Sequence, residues 1–209
     1  KKIQVHQPAF AVLQSSLINT VAGAELFFKC ENFQKVGAFK YRGATNAILQ
    51  LTAEQKAKGV ATHSSGNHAQ ALALAAKNNA VKAFIVMPSN APKVKSDAVK
   101  DYGAEIIWCE PTLKAREETL EQVVAETSAT VIHPYDNHDV ICGQSTAVQE
   151  LLNEESDLHV GRHQSACGIM TCEAAELSVV VPAFNECPNV AALVSKLDQC
   201  LSGVRWEVI

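Results

Sequence analysis

The chain has 209 residues, of which 47% are hydrophobic and 19% are charged, a composition that excludes a disordered chain and allows one domain and part of a second. Its 18 Lys and Arg and 22 Asp and Glu give a net charge of −4, and because neither sign forms a long block we expect no nucleic-acid partner. The sequence has no apolar stretch of about 18 residues and no signal-peptide core, which predicts no membrane partner and a cytoplasmic location.

The first three quarters of the chain alternate predicted strands and helices. In chain order these are strand 25–30, helix 39–51, a short helix between Thr52 and Gly59, strand 60–63, helix 68–79, strand 81–87, helix 93–102, strand 105–108, a helix after Thr112, strand 130–133 and helix 139–152. Strands that alternate with helices in this way predict an α/β fold of right-handed β-α-β units around a mostly parallel sheet.

The last quarter of the chain interrupts this pattern. Residues 154–175 have no period of 2 or 3.6 and are interpreted as an irregular junction. Strand-like residues 176–182, helical spacing over 188–201 and the beginning of a strand at 205–209 then predict a further β-α-β fragment. Two histidines and two cysteines of this part have spacings that do not fit a structural zinc site, so we predict no metal centre. They are His159, His163, Cys167 and Cys172.

One candidate catalytic residue is Lys40, which follows a glycine-containing loop at the start of a predicted helix. The positive end of the helix dipole and desolvation by Phe39 both lower the pKa of an amine at this position. A neutral amine attacks an aldehyde whereas an ammonium group cannot, which is the property required of a lysine that forms a Schiff base with pyridoxal phosphate. The alternative interpretation is an ordinary surface lysine.

A second candidate site is the run His63-Ser64-Ser65-Gly66-Asn67-His68, between a predicted strand and a predicted helix. Small residues allow close approach of the backbone, and the free N–H groups at a helix start bind anions such as a substrate carboxylate. The alternative is a simple cluster of helix-capping residues. The two motifs within thirty residues of each other are hard to obtain by chance.

Residues 3–153 resemble the fold-type II pyridoxal-phosphate enzymes, specifically the serine racemase and threonine/serine dehydratase group. The resemblance runs through LFFKCENFQK at 26–35, GAFK at 37–40, THSSGNH at 62–68, YGA at 102–104 and GQST at 143–146. It implies an incomplete large domain at 3–59 and 139–153 and a small domain at 60–138.

The resemblance also implies roles for individual residues. Lys40 would form the Schiff base and move the α-proton on one face, and Ser65 would act as acid or base on the opposite face. Phe39 would pack against the cofactor, and Asn67 would hydrogen-bond its ring hydroxyl. The substrate carboxylate would be held by the loop Ser64, Ser65, Gly66, Asn67 and His68.

The implied activity is racemisation of L-serine, or dehydration of L-serine or L-threonine to a 2-oxo acid and ammonia. The glycine-rich loop that holds the cofactor phosphate in this family does not occur in the 209 residues. We therefore expect this chain to retain pyridoxal phosphate weakly and to have little catalytic competence. We also expect a homodimer or dependence on a partner chain, because a partial sheet exposes apolar surface. A non-catalytic fragment or fusion product is the alternative.

Residues 176–209 carry a second resemblance, to the opening strand and helix of family-two glycosyltransferases of the dolichyl-phosphate mannosyltransferase kind. It implies that Pro182, Ala183 and Glu186 lie beside a nucleotide sugar in a truncated glycosyltransferase. An ordinary Val-rich strand that ends in Pro is the alternative.

Overall fold

A computed structural model describes residues 12–23, 25–154, 177–179 and 206–208. Residues 1–154 form one compact unit, and residues 155–209 form a second. The strands are β1 Val12–Leu13, β2 Phe28–Lys29, β3 Val60–His63, β4 Ala83–Pro88, β5 Glu105–Cys109, β6 Thr130–Val131, β7 Leu177–Val179 and β8 Trp206–Val208. The helices are α1 Ser16–Ala22, α2 Lys40–Gln50, α3 Ala53–Lys58, α4 Asn67–Asn78, α5 Lys93–Asp101, α6 Leu113–Thr127 and α7 His138–Glu154.

Four parallel strands form the sheet of the first unit, in the order β5-β4-β3-β6. One helix connects each strand to the next along the chain: α4 follows β3, α5 follows β4, and α6 follows β5. The α/β fold with β-α-β units predicted from the sequence is therefore confirmed. Because the strands are parallel, their carboxyl ends meet at one edge of the sheet, where the following loops lie.

Helices cover both faces of this sheet. On β4, Ile85 and Met87 belong to the apolar core that contains α2 and α4 residues, whereas Phe84 and Val86 belong to a second core with α6 residues. All six residues of β4 are buried. Burial on both faces explains why this strand is an unbroken apolar run rather than an alternating one.

Helix α2 packs mainly against α7 and α4, and two glycines allow its close contact with α7. A Cβ atom placed on Gly43 would lie 2.7 Å from the Val140 carbonyl oxygen, and one on Gly143 would lie 2.6 Å from the Arg42 carbonyl oxygen. The two backbones can therefore approach only because neither position carries a side chain. The Asn46 amide adds a hydrogen bond of 2.7 Å to the Asp139 carbonyl.

The structure differs from the predicted elements most clearly in residues 25–37. Instead of a strand over 25–30, only Phe28–Lys29 pairs, antiparallel to β1, and two 3₁₀ turns follow at Glu31–Phe33 and Lys35–Gly37. The Leu26 N–H donates to the Asn19 side chain at 3.0 Å, so it is not available for a strand ladder. Thr52 and Thr112, which precede two of the predicted helices, cap α3 and α6 through their side chains.

The second unit is described only through the backbone of β7 and β8, which pair in parallel. This pairing agrees with the predicted strand–crossover–strand fragment. The predicted helix over 188–201, the irregular junction and its four histidines and cysteines lie outside the described residues. The division of the first unit into a partial large domain (3–59 and 139–153) and a small domain (60–138) stays a prediction. None of the helices in the described ranges is long and apolar enough to cross a membrane.

Candidate active site

Lys40 is the first residue of α2, and the loop before it makes a tight turn. Val36 and Gly37 have φ of 58° and 67°, in the left-handed region that glycine adopts most readily. The half-buried Lys40 amine donates a 2.9 Å hydrogen bond to the Pro134 carbonyl, and its nitrogen lies 5.2 Å from the centre of the Phe39 ring. Burial lowers the pKa of this amine below its ordinary value, which favours the neutral, nucleophilic form.

The loop after β3 leads directly into α4. The Ser64 N–H donates to the Val86 carbonyl at 3.1 Å, and the Gly66 N–H donates to the Ser64 hydroxyl at 3.3 Å. No side chain caps the start of α4, and the first N–H groups of a helix have no acceptor within it. The α4 N-terminus is therefore open to an anion. Ser65 beside it is half-buried, and Asn67 is exposed.

His68, the second residue of α4, is buried. Its Nε2 lies 3.1 Å from the Ile132 carbonyl oxygen, and because a carbonyl only accepts, Nε2 carries the proton. Nδ1 has no hydrogen-bond partner among the described residues. Burial lowers the pKa of His68 to about 4, although the bond to the Ile132 carbonyl opposes the shift. The ring is therefore neutral at ordinary pH.

The segment after β6 brings the two helix starts together. Ile132 accepts from His68 and Pro134 accepts from Lys40, so the two side chains contact carbonyls only two residues apart. The positive charge of Lys40 also helps to lower the pKa of His68. The predicted residues of both motifs thus lie at the carboxyl end of the parallel sheet. Phe39 is 37% exposed, so its ring is only partly covered by the described residues.

Sequence reasoning missed the part played by residues 132–136. The His133 ring packs edge-on against His63, with centroids 6.0 Å apart, and against Tyr135 at 4.5 Å. His133 Nδ1 accepts from the Asp136 N–H at 2.8 Å and so holds the turn that presents the Pro134 carbonyl. Burial, reinforced by His133, lowers the pKa of His63. The sequence did contain a signal for the contact between His63 and His133. Both residues end predicted parallel strands, and the carboxyl ends of such strands meet at one edge of the sheet.

The described residues contain no group of three or more His, Cys, Asp or Glu that could hold a metal ion.

Comparisons with known proteins identify the family. The family model described as "Pyridoxal-phosphate dependent enzyme" matches residues 10–172. The chain belongs to this family. A serine racemase of Arabidopsis thaliana is 53% identical over 147 residues, covering 70% of this chain and 44% of the relative. A beta-hydroxyaspartate dehydratase of Paracoccus denitrificans is 48% identical over 158 residues, covering 76% of this chain and 50% of the relative.

Solved structures of the family agree with the fold. Maize serine racemase aligns with a TM-score of 0.75 and 38% identity, covering 96% of this chain and 55% of that chain. This chain therefore spans about half the length of the relatives it matches. The resemblance of residues 176–209 to glycosyltransferases is not borne out, because the alignment to a pyridoxal-phosphate enzyme extends over nearly the whole chain. A Val-rich strand that ends in Pro occurs in many parallel sheets and carries little information on its own.

The residues around Lys40 fit part of the pyridoxal-phosphate molecule. Its aldehyde requires a neutral amine, the form that burial favours at Lys40, and its ring requires an apolar contact, which Phe39 can provide. Anionic groups require N–H donors, which the uncapped start of α4 offers. No glycine-rich phosphate loop occurs in the described residues.

Proposed function

We propose that this chain supplies the lysine-bearing part of an enzyme that uses pyridoxal phosphate to racemise or dehydrate a small hydroxy amino acid. The observation that carries the proposal is the Lys40 amine, half-buried, with a lowered pKa and held by the Pro134 carbonyl. Burial that favours the neutral form makes this amine more reactive towards the cofactor aldehyde than an exposed lysine. Pyridoxal phosphate, when bound, withdraws electrons and so stabilises negative charge at the Cα of an attached amino acid.

Lys40 is proposed to carry out the proton transfer at Cα on one face of the substrate. Because burial lowers its pKa, a larger fraction of this amine is neutral and able to accept that proton than is the case for an exposed lysine. The Pro134 carbonyl orients the nitrogen through a hydrogen bond. Because the carbonyl is uncharged, it does not neutralise the positive charge of the amine once the amine has gained a proton. Lys40 can therefore return the same proton in the reverse step.

The α4 N-terminus is proposed to bind the substrate carboxylate. Ser64, Ser65, Gly66, Asn67 and His68 form this loop and first turn, and the helix dipole adds to the attraction of the free N–H groups. The neutral His68 ring stabilises this first turn through its hydrogen bond to the Ile132 carbonyl. Asn67 is exposed at the helix start, where its amide is proposed to reach the cofactor hydroxyl.

Ser65 is proposed as the acid or base on the face opposite Lys40. Racemisation needs a proton donor on each face of Cα, whereas dehydration needs only that the β-hydroxyl leaves after the α-proton has been removed. The names of the relatives include both a serine racemase and a dehydratase, so the same residues support either outcome. L-Serine and L-threonine are the proposed substrates.

We further propose a cytoplasmic setting and a homodimer or a partner chain. Cys30, Cys109 and Cys142 are free thiols, as expected in a reducing compartment. Apolar side chains such as Ile141 and Val148 are more than half exposed on α7, which favours an associated state. Light scattering of the purified chain tests this point, and a monomer at all concentrations would contradict it.

The decisive experiment is reductive trapping on the purified 209-residue chain. After incubation with pyridoxal phosphate and reduction with borohydride, we expect a pyridoxyl group on Lys40 by peptide mass spectrometry. The Lys40→Ala variant should lose this adduct, and Lys114→Ala, which removes an exposed lysine of α6, should keep it. Labelling of Lys40 no stronger than that of exposed lysines would overturn the proposal.

The same preparation distinguishes the alternatives. Formation of D-serine from L-serine indicates a racemase, and release of a 2-oxo acid and ammonia indicates a dehydratase. A trapped adduct without turnover supports the non-catalytic fragment. Titration with pyridoxal phosphate tests the predicted weak retention of the cofactor.

A further inference from the structure

Arg42 lies two residues after Lys40 on α2 and is completely buried. Its guanidinium group makes five hydrogen bonds, all to side chains. Glu31 accepts from Nε and Nη2 at 2.8 Å each, Glu150 accepts from Nη1 and Nη2 at 2.7 Å each, and the Thr146 hydroxyl accepts from Nη1 at 3.1 Å. A guanidinium has five N–H donors, so this junction satisfies every one of them.

The junction connects three parts of the first unit. Glu31 begins the 3₁₀ turn that leads to Lys40, Arg42 lies in the first turn of α2, and Thr146 and Glu150 lie on α7. Lys29 adds a second cation beside Glu150, at 3.3 Å. Although burial acts against the charged form, the two carboxylates raise the pKa of Arg42 above its ordinary value, so the guanidinium remains charged.

The start of α2 has no side-chain cap of its own, because Phe39 occupies the cap position and makes no capping hydrogen bond. The position of the first turn is therefore set by its neighbours rather than by a local cap. The Glu31 contact closes the loop of residues 31–42 from one side, and the Glu150 contact fixes the same turn to α7 from the other.

We infer that Arg42 is a positioning residue for Lys40: by binding Glu31 and Glu150 in one buried junction, it fixes the first turn of α2 and so holds the Lys40 amine against the Pro134 carbonyl. The side chains of residues two apart on a helix project in directions that differ by about 200° around the helix axis. Arg42 therefore acts from the side of α2 that faces away from the Lys40 amine. The inference concerns the residue on which the proposed function rests, but it is tested without cofactor or turnover.

The test is the pH dependence of Lys40 acetylation in the cofactor-free chain. Only a neutral amine reacts with acetic anhydride, so peptide mass spectrometry across a pH series gives the pH of half-maximal labelling, with the exposed Lys114 as internal reference. Arg42→Lys keeps the charge but cannot form two planar two-bond contacts. We expect this variant to raise the half-labelling pH of Lys40 by about one unit, because a displaced amine is better solvated.

Asn46→Ala is the matched control, because it removes a hydrogen bond between α2 and α7 one turn further along the same helix. It should lower the melting temperature and leave the labelling curve of Lys40 unchanged. Superimposed curves for Arg42→Lys and the unaltered chain would overturn the inference and leave Arg42 a structural residue only.

A second variant covers the case in which Arg42→Lys does not fold. Glu31→Asp preserves every charge but is one methylene too short for both bonds to Arg42, and we expect a smaller rise in the same direction. An unchanged Lys40 curve in a folded Glu31→Asp chain would equally overturn the inference. Failure of the cofactor-trapping experiment does not affect either outcome, since no cofactor is present.

Discussion

Lys40, His68 and Arg42 respond to burial in three different ways. The Lys40 amine has a lowered pKa and a single carbonyl partner, so it can gain and release a proton. His68 is held neutral, and Arg42 stays charged because two carboxylates surround it. At the scale of single residues, only Lys40 of these three combines a nucleophilic amine with a pKa that burial lowers.

His68 makes the stability of the chain depend on pH. The folded state binds the imidazole proton only near pH 4, whereas an unfolded chain binds it near pH 6.5. Falling pH therefore favours the unfolded chain, and we expect the free energy of unfolding to drop by about 2 kcal/mol between pH 7 and pH 5. Urea denaturation at the two pH values measures this loss.

The His68→Gln variant should lose most of that difference, because glutamine does not titrate. His63, whose pKa is lowered in the same direction, accounts for part of the remainder. His138→Gln is the control, since it removes an exposed histidine at the start of α7, and its pH dependence should match the unaltered chain. Equal pH dependence in all three chains would show that His68 is not the cause.

The sequence alone predicts site residues that lie in short motifs but does not predict their long-range partners. Lys40 and the Ser64–His68 loop were predicted because each motif is contiguous and each chemical role depends on neighbouring residues. The contacts of Lys40 with Pro134 and of Arg42 with Glu150 join residues 94 and 108 positions apart. Neither periodicity nor local spacing contains information on such pairs.

At the scale of elements, the crossing of α2 and α7 leaves no space for a side chain at Gly43 or Gly143. A methyl group on Gly143 would lie 2.6 Å from the Arg42 carbonyl oxygen and 2.8 Å from Gly43 Cα, and backbone atoms cannot move aside cheaply. We expect Gly143→Ala to destabilise the chain by about 1–3 kcal/mol, measured by urea denaturation.

Ser145→Ala provides the comparison for that substitution. Ser145 lies two residues further along α7, is exposed, and bonds only to the Cys142 carbonyl of its own helix. Alanine there should change the stability by less than about 0.5 kcal/mol. Equal free energies of unfolding for the Gly143→Ala and Ser145→Ala chains would contradict this prediction. That result would mean that the two helices can move apart without a loss of stability.

Elements were predictable where the backbone of a strand pairs along its whole length, and the prediction failed where a side chain replaced a backbone partner. The prediction of β3 over 60–63 was confirmed without change, and that of β5 ended one residue early, since both strands pair with β4 along their length. The run 25–30 looked similar in sequence, but the Asn19 side chain takes the Leu26 N–H. Only the three-dimensional contact distinguishes the two cases.

At the scale of the whole described molecule, stability is unevenly distributed. The central strands β3 and β4 are buried, and each pairs with a strand on either side, whereas β1 and β2 are two residues each and largely exposed. We expect amide hydrogens of β3 and β4 to exchange at least about tenfold more slowly than those of residues 12–29. Hydrogen–deuterium exchange with peptide mass spectrometry measures this, and uniform exchange rates would contradict the core assignment.

The large sequence separation between Arg42 and its partners on α7 also has a consequence during synthesis. A nascent chain that has not yet been extended past Glu150 cannot close the junction, and it lacks the later of the two contacts that fix the start of α2. If Arg42 positions Lys40 as inferred, we expect the Lys40 amine of such a chain to be better solvated and more fully protonated than in the finished chain. A protonated amine is a poor nucleophile, so we expect chains that end before Glu150 to react more slowly with aldehydes at Lys40.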